Sequence, residues 1–182
     1  MVATDLFMKH GYEATSMSSI AARLGVTKAA LYRHALGKAE LFASVTLPAR
    51  TAVLSLVESA KAEEAPAIDR LIHLARELVR LAENRTSGFY LLWGHAAGGE
   101  PAEQITACTE AVHRALVDLL EQAAAEGTAR GDIPFGIAAR LILGSIAEIS
   151  LSYRSVQGEF ANDVAALLLN GMSLPARTGC SL

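Results

Sequence analysis

The sequence predicts an all-α chain, and three observations predict it. Apolar residues recur with a helical period of about 3.6 along the whole length. Period-2 alternation bounded by turn residues is absent. Gly11, Gly25, Gly37, Gly98-Gly99 and Gly127 fall where one periodic stretch ends and the next begins. The expectation is an N-terminal unit of three short helices over residues 1–45, followed by a six-helix bundle over 46–182.

The elements follow in order. Leu6, Phe7 and His10 close a short first helix that Gly11 ends. Thr15 or Ser16 supplies the N-cap oxygen of a second helix, Met17 to Leu24, stopped by Gly25. Thr27 caps a third, from Lys28 to about Ala35. Past Gly37 a longer helix runs from Lys38 to about Ala60, with Pro48 as a kink inside it. After Pro66 a helix reaches about Glu83, with Arg70, His73, Glu77 and Arg80 forming a solvent stripe opposite Leu71, Leu78 and Val79. A short apolar helix spans Phe89 to Ala97. A long one spans about Ala102 to Glu126, with Ile105, Cys108, Val112, Leu116 and Leu119 on one face. The last two run over about 134–156 and 160–170, and the tail from Ser173 is expected to fray.

Composition narrows the class. The 182 residues are 52% hydrophobic and 19% charged, enough for a sizeable core. That excludes a disordered polar chain, a collagen-like repeat and a disulfide-stapled scaffold. Two cysteines, Cys108 and Cys180, suit a reducing compartment. No uninterrupted apolar run approaches the roughly 18 residues of a membrane span. The nearest, Ile137 to Leu151, is interrupted by Arg140 and Glu148, and the first residues do not resemble a signal peptide. The expectation is a soluble cytoplasmic protein without a membrane partner.

Charge is unevenly spread. Residues 1–50 hold six bases against three acids, a net +3, while the other 132 hold ten bases against sixteen acids, a net −6. A basic head on an acidic body suggests that the head alone meets a polyanion.

The segment from Ile20 to Tyr32 reads as two helices meeting at a tight turn. Ile20, Leu24, Val26 and Leu31 are the apolar contacts between them, Ala21 is small where the second helix crosses, and Gly25 takes a left-handed turn without a Cβ penalty. These are the steric requirements of a helix-turn-helix, whose second helix enters the DNA major groove. At about 100° per residue, placing Leu31 inward turns Ala29 and Arg33 outward, with Tyr32 to one side and Lys28 near the helix start. Tyr and Lys can donate to phosphate oxygens, and Lys28 or Arg33 can reach guanine N7 and O6. The alternative is a structural helical hairpin with a solvated charged face.

Leu6-Phe7, Gly11-Tyr12, Ala14-Thr15-Ser16, Ile20-Ala21, Leu24-Gly25-Val26, Leu31-Tyr32-Arg33-His34 and Lys38-x-Glu40-Leu41 together closely resemble the TetR family of one-component transcriptional regulators. The resemblance implies a three-helix DNA-binding domain, a helical ligand-binding and dimerisation domain, and repression relieved by a small molecule. It also implies site residues. Thr15 or Ser16 touches phosphate; Thr27, Lys28, Ala29 and Tyr32 face the major groove; Tyr32, Arg33 and His34 share sugar-phosphate contacts; and Lys38 meets a phosphate. Three departures stand out. The family has more helix before Ala3, so either the first helix is short here or the true start lies upstream. Ala35 stands where the family places a core Phe, and Gly37 replaces a Ser that could cap the fourth helix.

In the body, ten of the fifteen residues from Ile137 to Leu151 are apolar, distributed right around the helix. Such a helix must be covered on both sides. The resemblance makes the last two helices (about 134–156 and 160–170) a four-helix homodimer interface; the alternative is the central helix of a monomeric bundle. A two-fold dimer would set two recognition helices roughly 34–36 Å apart, suited to a palindromic double-stranded operator. Phe89, Tyr90, Leu92, Trp93 and His95, with Cys108, Val112 and Tyr153, are the candidate walls of a pocket for an apolar or amphipathic effector, and the same residues could simply fill the core.

No enzyme is expected. Cys108 and His113 lie about 140° apart around one helix and cannot pair as nucleophile and base. His73 and Glu77 share the solvent stripe, where a solvated histidine is the plainer reading than a metal ligand. Neither cofactor nor metal is predicted. The expected function is a ligand-responsive DNA-binding regulator, a repressor; the rivals are a helical small-molecule carrier that has lost DNA binding and a small enzyme using Cys108 or a His-Glu metal site.

Overall fold

The computed structural model describes residues 2–83, 88–93 and 100–152. Those residues form eight helices: α1 (Val2–Ala14), α2 (Met17–Leu24), α3 (Lys28–Tyr32), α4 (Lys38–Ala62), α5 (Ala67–Glu83), α6 (Tyr90–Trp93), α7 (Glu100–Ala125) and α8 (Phe135–Ser152). The expected helix over 160–170, the end of the one before it, and the tail lie outside the described residues. The all-α architecture is as the periodicity predicts.

Local chemistry sets the head. Gly11 (φ 77, ψ 169) breaks α1 before its last turn. The Ser16 hydroxyl accepts the Ser19 N–H at 3.0 Å while the Ser19 hydroxyl accepts the Ser16 N–H at 3.1 Å, a reciprocal cap on α2. Gly25 adopts the left-handed conformation (φ 69, ψ 24) and the next N–H, of Val26, returns to the Ala21 carbonyl at 3.0 Å. That closes the α2 C-terminus and turns the chain sharply into α3. The Thr27 hydroxyl then accepts the Ala30 N–H at 3.1 Å. α3 is shorter than expected, because Arg33 and His34 bond back three residues and wind a tighter turn towards Ala35. Gly37 offers α4 no side-chain cap; the Glu40 carboxylate instead accepts the Leu36 N–H just ahead of the helix.

Ile20, Ala21 and Leu31 are buried between the two helices as expected, but Leu24 and Val26 are each 44% exposed. These two are a correction. The turn is so tight that Val26 is thrown outward, and Leu24, at the last residue of α2, is carried past the crossing. The head instead takes its apolar volume from α1 and α4. Phe7, Tyr12 and Phe42 pack with ring centres 5.0–6.0 Å apart, Phe42 edge-on to both others. Leu91, from α6, is buried in the same cluster.

The body core lies between α4, α5, α7 and α8. Ala49, Val53, Val57 and Ala60 form the buried seam of α4; Leu71, Leu74, Leu78 and Val79 that of α5; Val112, Leu116 and Leu120 that of α7; and Ala139, Ile142 and Ile146 that of α8. By length and composition α4 is apolar enough to cross a membrane, and its seam is buried against this bundle. At one end the Glu126 carboxylate accepts the Ala67 N–H at 2.9 Å, so the end of α7 caps the start of α5.

Candidate nucleic-acid interface

The turn at Gly25 and the cap at Thr27 present one continuous exposed surface. Thr27, Lys28, Ala29, Tyr32, Arg33 and His34 are all exposed, while Leu31 anchors α3 from behind. Lys28 Nζ lies 5.7 Å from the Tyr32 ring centre, so the base and the phenol share one patch. Thr27 Oγ1 accepts from the helix and keeps its own O–H to donate. Ala29 offers no side chain beyond a methyl, so the backbone there can approach a groove floor closely.

Two further residues sit differently from what the resemblance implies. Thr15 is buried, and its hydroxyl donates to the Gly11 carbonyl at 2.7 Å and the Leu6 carbonyl at 3.3 Å, repairing the break in α1. Of the pair Thr15 and Ser16, only Ser16 is exposed to a phosphate. Lys38 is half-buried, and its ammonium donates to the Tyr12 carbonyl at 2.9 Å and the Glu13 carbonyl at 3.3 Å, with the Glu13 carboxylate at 3.8 Å. Its charge is committed to the end of α1. Sequence spacing could not reveal this, because Tyr12 and Lys38 lie 26 residues apart.

The candidate ligand residues divide between two cores. Phe89, Leu92, Cys108 and Val112 are buried in the body, and Trp93 stacks on Phe89 with ring centres 4.4 Å apart. Tyr90 instead packs against the head core, beside Leu91. The four-residue α6 therefore faces both ways. His95 and Tyr153 lie outside the described residues. Burial pushes the Cys108 thiol up, against a smaller downward pull from the Arg50 charge. His113 Nε2 is 3.3 Å from the Gly136 carbonyl. Among the described residues no three metal-ligating side chains converge. A cleft of about 260 Å³ between α4, α5 and α7 is lined by Lys61, Arg70, Asp118 and Gln122, and none of the predicted ligand residues borders it.

Among the described residues the outer side of α8 carries exposed apolar side chains: Ile137 is 53% and Leu141 58% exposed, with Gly144 exposed in line with them and Arg140 and Glu148 on the same side. The inner side, at Ala139, Ile142 and Ile146, is fully buried. Of the cover on both sides that the sequence pattern predicts, the inner half is present.

Residues 2–45 match the family described as bacterial regulatory proteins, tetR family. The chain is 30% identical over 124 residues to the HTH-type transcriptional activator FasR of Mycolicibacterium smegmatis, a match covering 67% of this chain and 57% of that relative's length. Its fold is similar to that of SCO3833, a TetR family member from Streptomyces coelicolor A3, with a TM-score of 0.82, 28% identity and coverage of 93% and 88% of the two chains. It is also similar to AibR, solved in complex with isovaleryl coenzyme A and operator DNA, with a TM-score of 0.75, 25% identity and 93% of each chain covered. The amino-terminal helices, residues 2–45, are those of the tetR family of bacterial regulatory proteins, and the fold throughout is similar to that of a TetR family structure.

Proposed function

We propose that the chain is a ligand-responsive, DNA-binding transcriptional regulator that acts as a homodimer and releases a palindromic operator when a small effector binds. In this reading residues 1–45 are the DNA-binding unit and 46–182 the ligand-binding and dimerisation unit. The observation that carries it is the exposed row Thr27, Lys28, Ala29, Tyr32, Arg33 and His34, held on a capped helix by the buried Leu31. Cations and hydroxyls on such a rod match phosphates and base edges, and the backbone has room to approach at Ala29. Ser16 adds a hydroxyl at the start of α2, while Thr15 and Lys38 position the helices.

AibR, solved with isovaleryl coenzyme A and operator DNA, supports pairing a small-molecule ligand with an operator, and the exposed Ile137 and Leu141 of α8 support a two-fold partner. Release requires an effector that binds the DNA-incompetent arrangement better than the DNA-bound one. Fluorescence anisotropy with DNA flanking the chain's own gene tests the reading. Binding should weaken steeply with salt, and Tyr32→Ala with Arg33→Ala should abolish it without unfolding the protein. Salt-insensitive or absent binding would favour the carrier reading. An effector that tightened DNA binding would overturn effector-driven release, and transcription that rose with operator occupancy would make the chain an activator, as FasR is named.

A further inference from the structure

The side chains on the exposed face of α3 form a narrow chemical set. From Val26 to His34 the chain holds no Asn, Gln, Asp or Glu. The paired amide contact to adenine and the carboxylate contact to cytosine therefore have no side chain to make them. What remains along this stretch is two cations, an imidazole, two hydroxyls and methyl groups. Geometry sorts these along the helix. Lys28 Nζ lies 5.7 Å from the ring centre of Tyr32, one turn further on, so the cation is drawn towards the later part of α3. The leading edge is left to Thr27 and Ala29, both exposed. Ala29 stands two residues before the buried Leu31, about 200° around the helix and so on the side away from the core. Thr27 Oγ1 accepts the Ala30 N–H at 3.1 Å, which turns the oxygen to the helix and leaves the γ-methyl as the apolar tip. In a helix-turn-helix the leading residues of the second helix are the ones that meet base edges. Here that edge is tipped with methyl groups.

We infer that Thr27 and Ala29 select thymine: the Thr27 γ-methyl and the Ala29 β-methyl pack against the C5-methyl groups of thymines in the major groove. This rests on the DNA-binding reading above and adds the base that the leading edge of α3 recognises. The thymine C5-methyl is the one methyl group that an unmodified base pair shows in that groove, so an apolar tip finds its match there. Against a purine the same methyls would cover N7 and leave an acceptor stripped of water with no donor. Selection therefore has two sides, a gain at thymine and a loss elsewhere. The shortness of both side chains matters as well, because a longer residue at Ala29 would hold the helix away from the base edges that Thr27 has to reach.

The test puts the full chain on the DNA flanking its own gene, amplified with either deoxythymidine or deoxyuridine triphosphate, and reads affinity by fluorescence anisotropy at several salt concentrations. Uracil differs from thymine only in lacking the C5-methyl. The uracil duplex should bind roughly 3- to 10-fold more weakly, with an unchanged salt slope because the phosphates are the same. Thr27→Ser keeps the capping hydroxyl and removes the methyl, so it should bring the two affinities closer together. Ala29→Gly should do the same, and the double variant should bind the two duplexes equally. Equal affinity of the unaltered chain for both duplexes overturns the inference, and so does a thymine preference that survives in full in the double variant. If Ala29→Gly loosens α3 and weakens binding to both duplexes alike, the ratio measured with Thr27→Ser decides. Absence of salt-dependent binding to either duplex sinks the regulator reading, whereas salt-dependent binding with no thymine preference sinks this inference alone.

Discussion

Lys38 sets its ammonium 4.3 Å from the centre of the Tyr12 ring while donating to the Tyr12 carbonyl at 2.9 Å. The last carbonyls of a helix have no partner within it, and a cation is favourable there. One side chain at the start of α4 therefore closes the end of α1, and the two helices that bracket the helix-turn-helix are pinned together. Lys38→Met should lower stability in urea by about 1–2 kcal/mol. It should leave the salt dependence of DNA binding unchanged. Lys28→Ala should do the opposite, holding stability and reducing the salt slope by about one. A reduced slope in Lys38→Met would show that its ammonium reaches a phosphate after all.

Gly88 (φ +72) lies just before α6, and a Cβ there would sit 2.7 Å from the backbone oxygen of Val45 in α4. Backbone cannot swing aside as a long side chain can. Gly88→Ala should cost about 2–3 kcal/mol in urea unfolding. Gly127 is the control: its φ is +70 but nothing lies within 4 Å of an added Cβ, so Gly127→Ala should cost only about 1 kcal/mol.

The exposed apolar side of α8 predicts an association phenotype. Leu141→Arg should turn the proposed dimer into a folded monomer by light scattering, with helical content retained. DNA affinity should drop with it, because each half-site then binds alone. A Leu141→Arg protein that stays dimeric would place the interface elsewhere.

Alkaline pH should destabilise the fold at two points. Burial raises the Cys108 thiol above its ordinary 9.0, and burial, followed by the Glu13 charge, raises the Tyr12 phenol above 10.0. Both folded states hold their protons more tightly than the unfolded chain. Their contribution is complete below those ordinary values and is lost as pH rises through the raised ones. Urea midpoints should be flat near neutrality and fall above about pH 9. Cys108→Ala should remove part of that fall. In a Cys180→Ser background the remaining thiol should react slowly with a disulfide reagent until urea unfolds the chain.

The local rules of the head were legible in the sequence because its signals act over a few residues. Gly25 and Thr27 do what the spacing requires through bonds within a few residues, and Leu31 is buried against Ile20 and Ala21 as the pattern requires. The exposure of Leu24 and Val26 was not legible, since helical period alone does not say where one helix stops covering the next. Nor were the inward hydroxyl of Thr15, whose partners are the carbonyls freed by the break in α1, or the ammonium of Lys38, whose partners are fixed by how α1 meets α4. α6 shows the same limit. Tyr90 and Trp93 look like one aromatic wall in sequence, yet they pack on different cores. The apolar circumference of α8 was legible, and the structure buries its inner side at Ala139, Ile142 and Ile146 while Ile137 and Leu141 stay exposed.

Leu91 carries a consequence for how the molecule folds. The head's aromatic cluster is completed by a side chain contributed more than forty residues after the matched segment ends. The recognition unit is therefore not a self-sufficient folding unit: excised at its boundary, it would expose Phe7 and Phe42 to water. Head and body should unfold in one cooperative transition, so that a substitution deep in the body can melt the head.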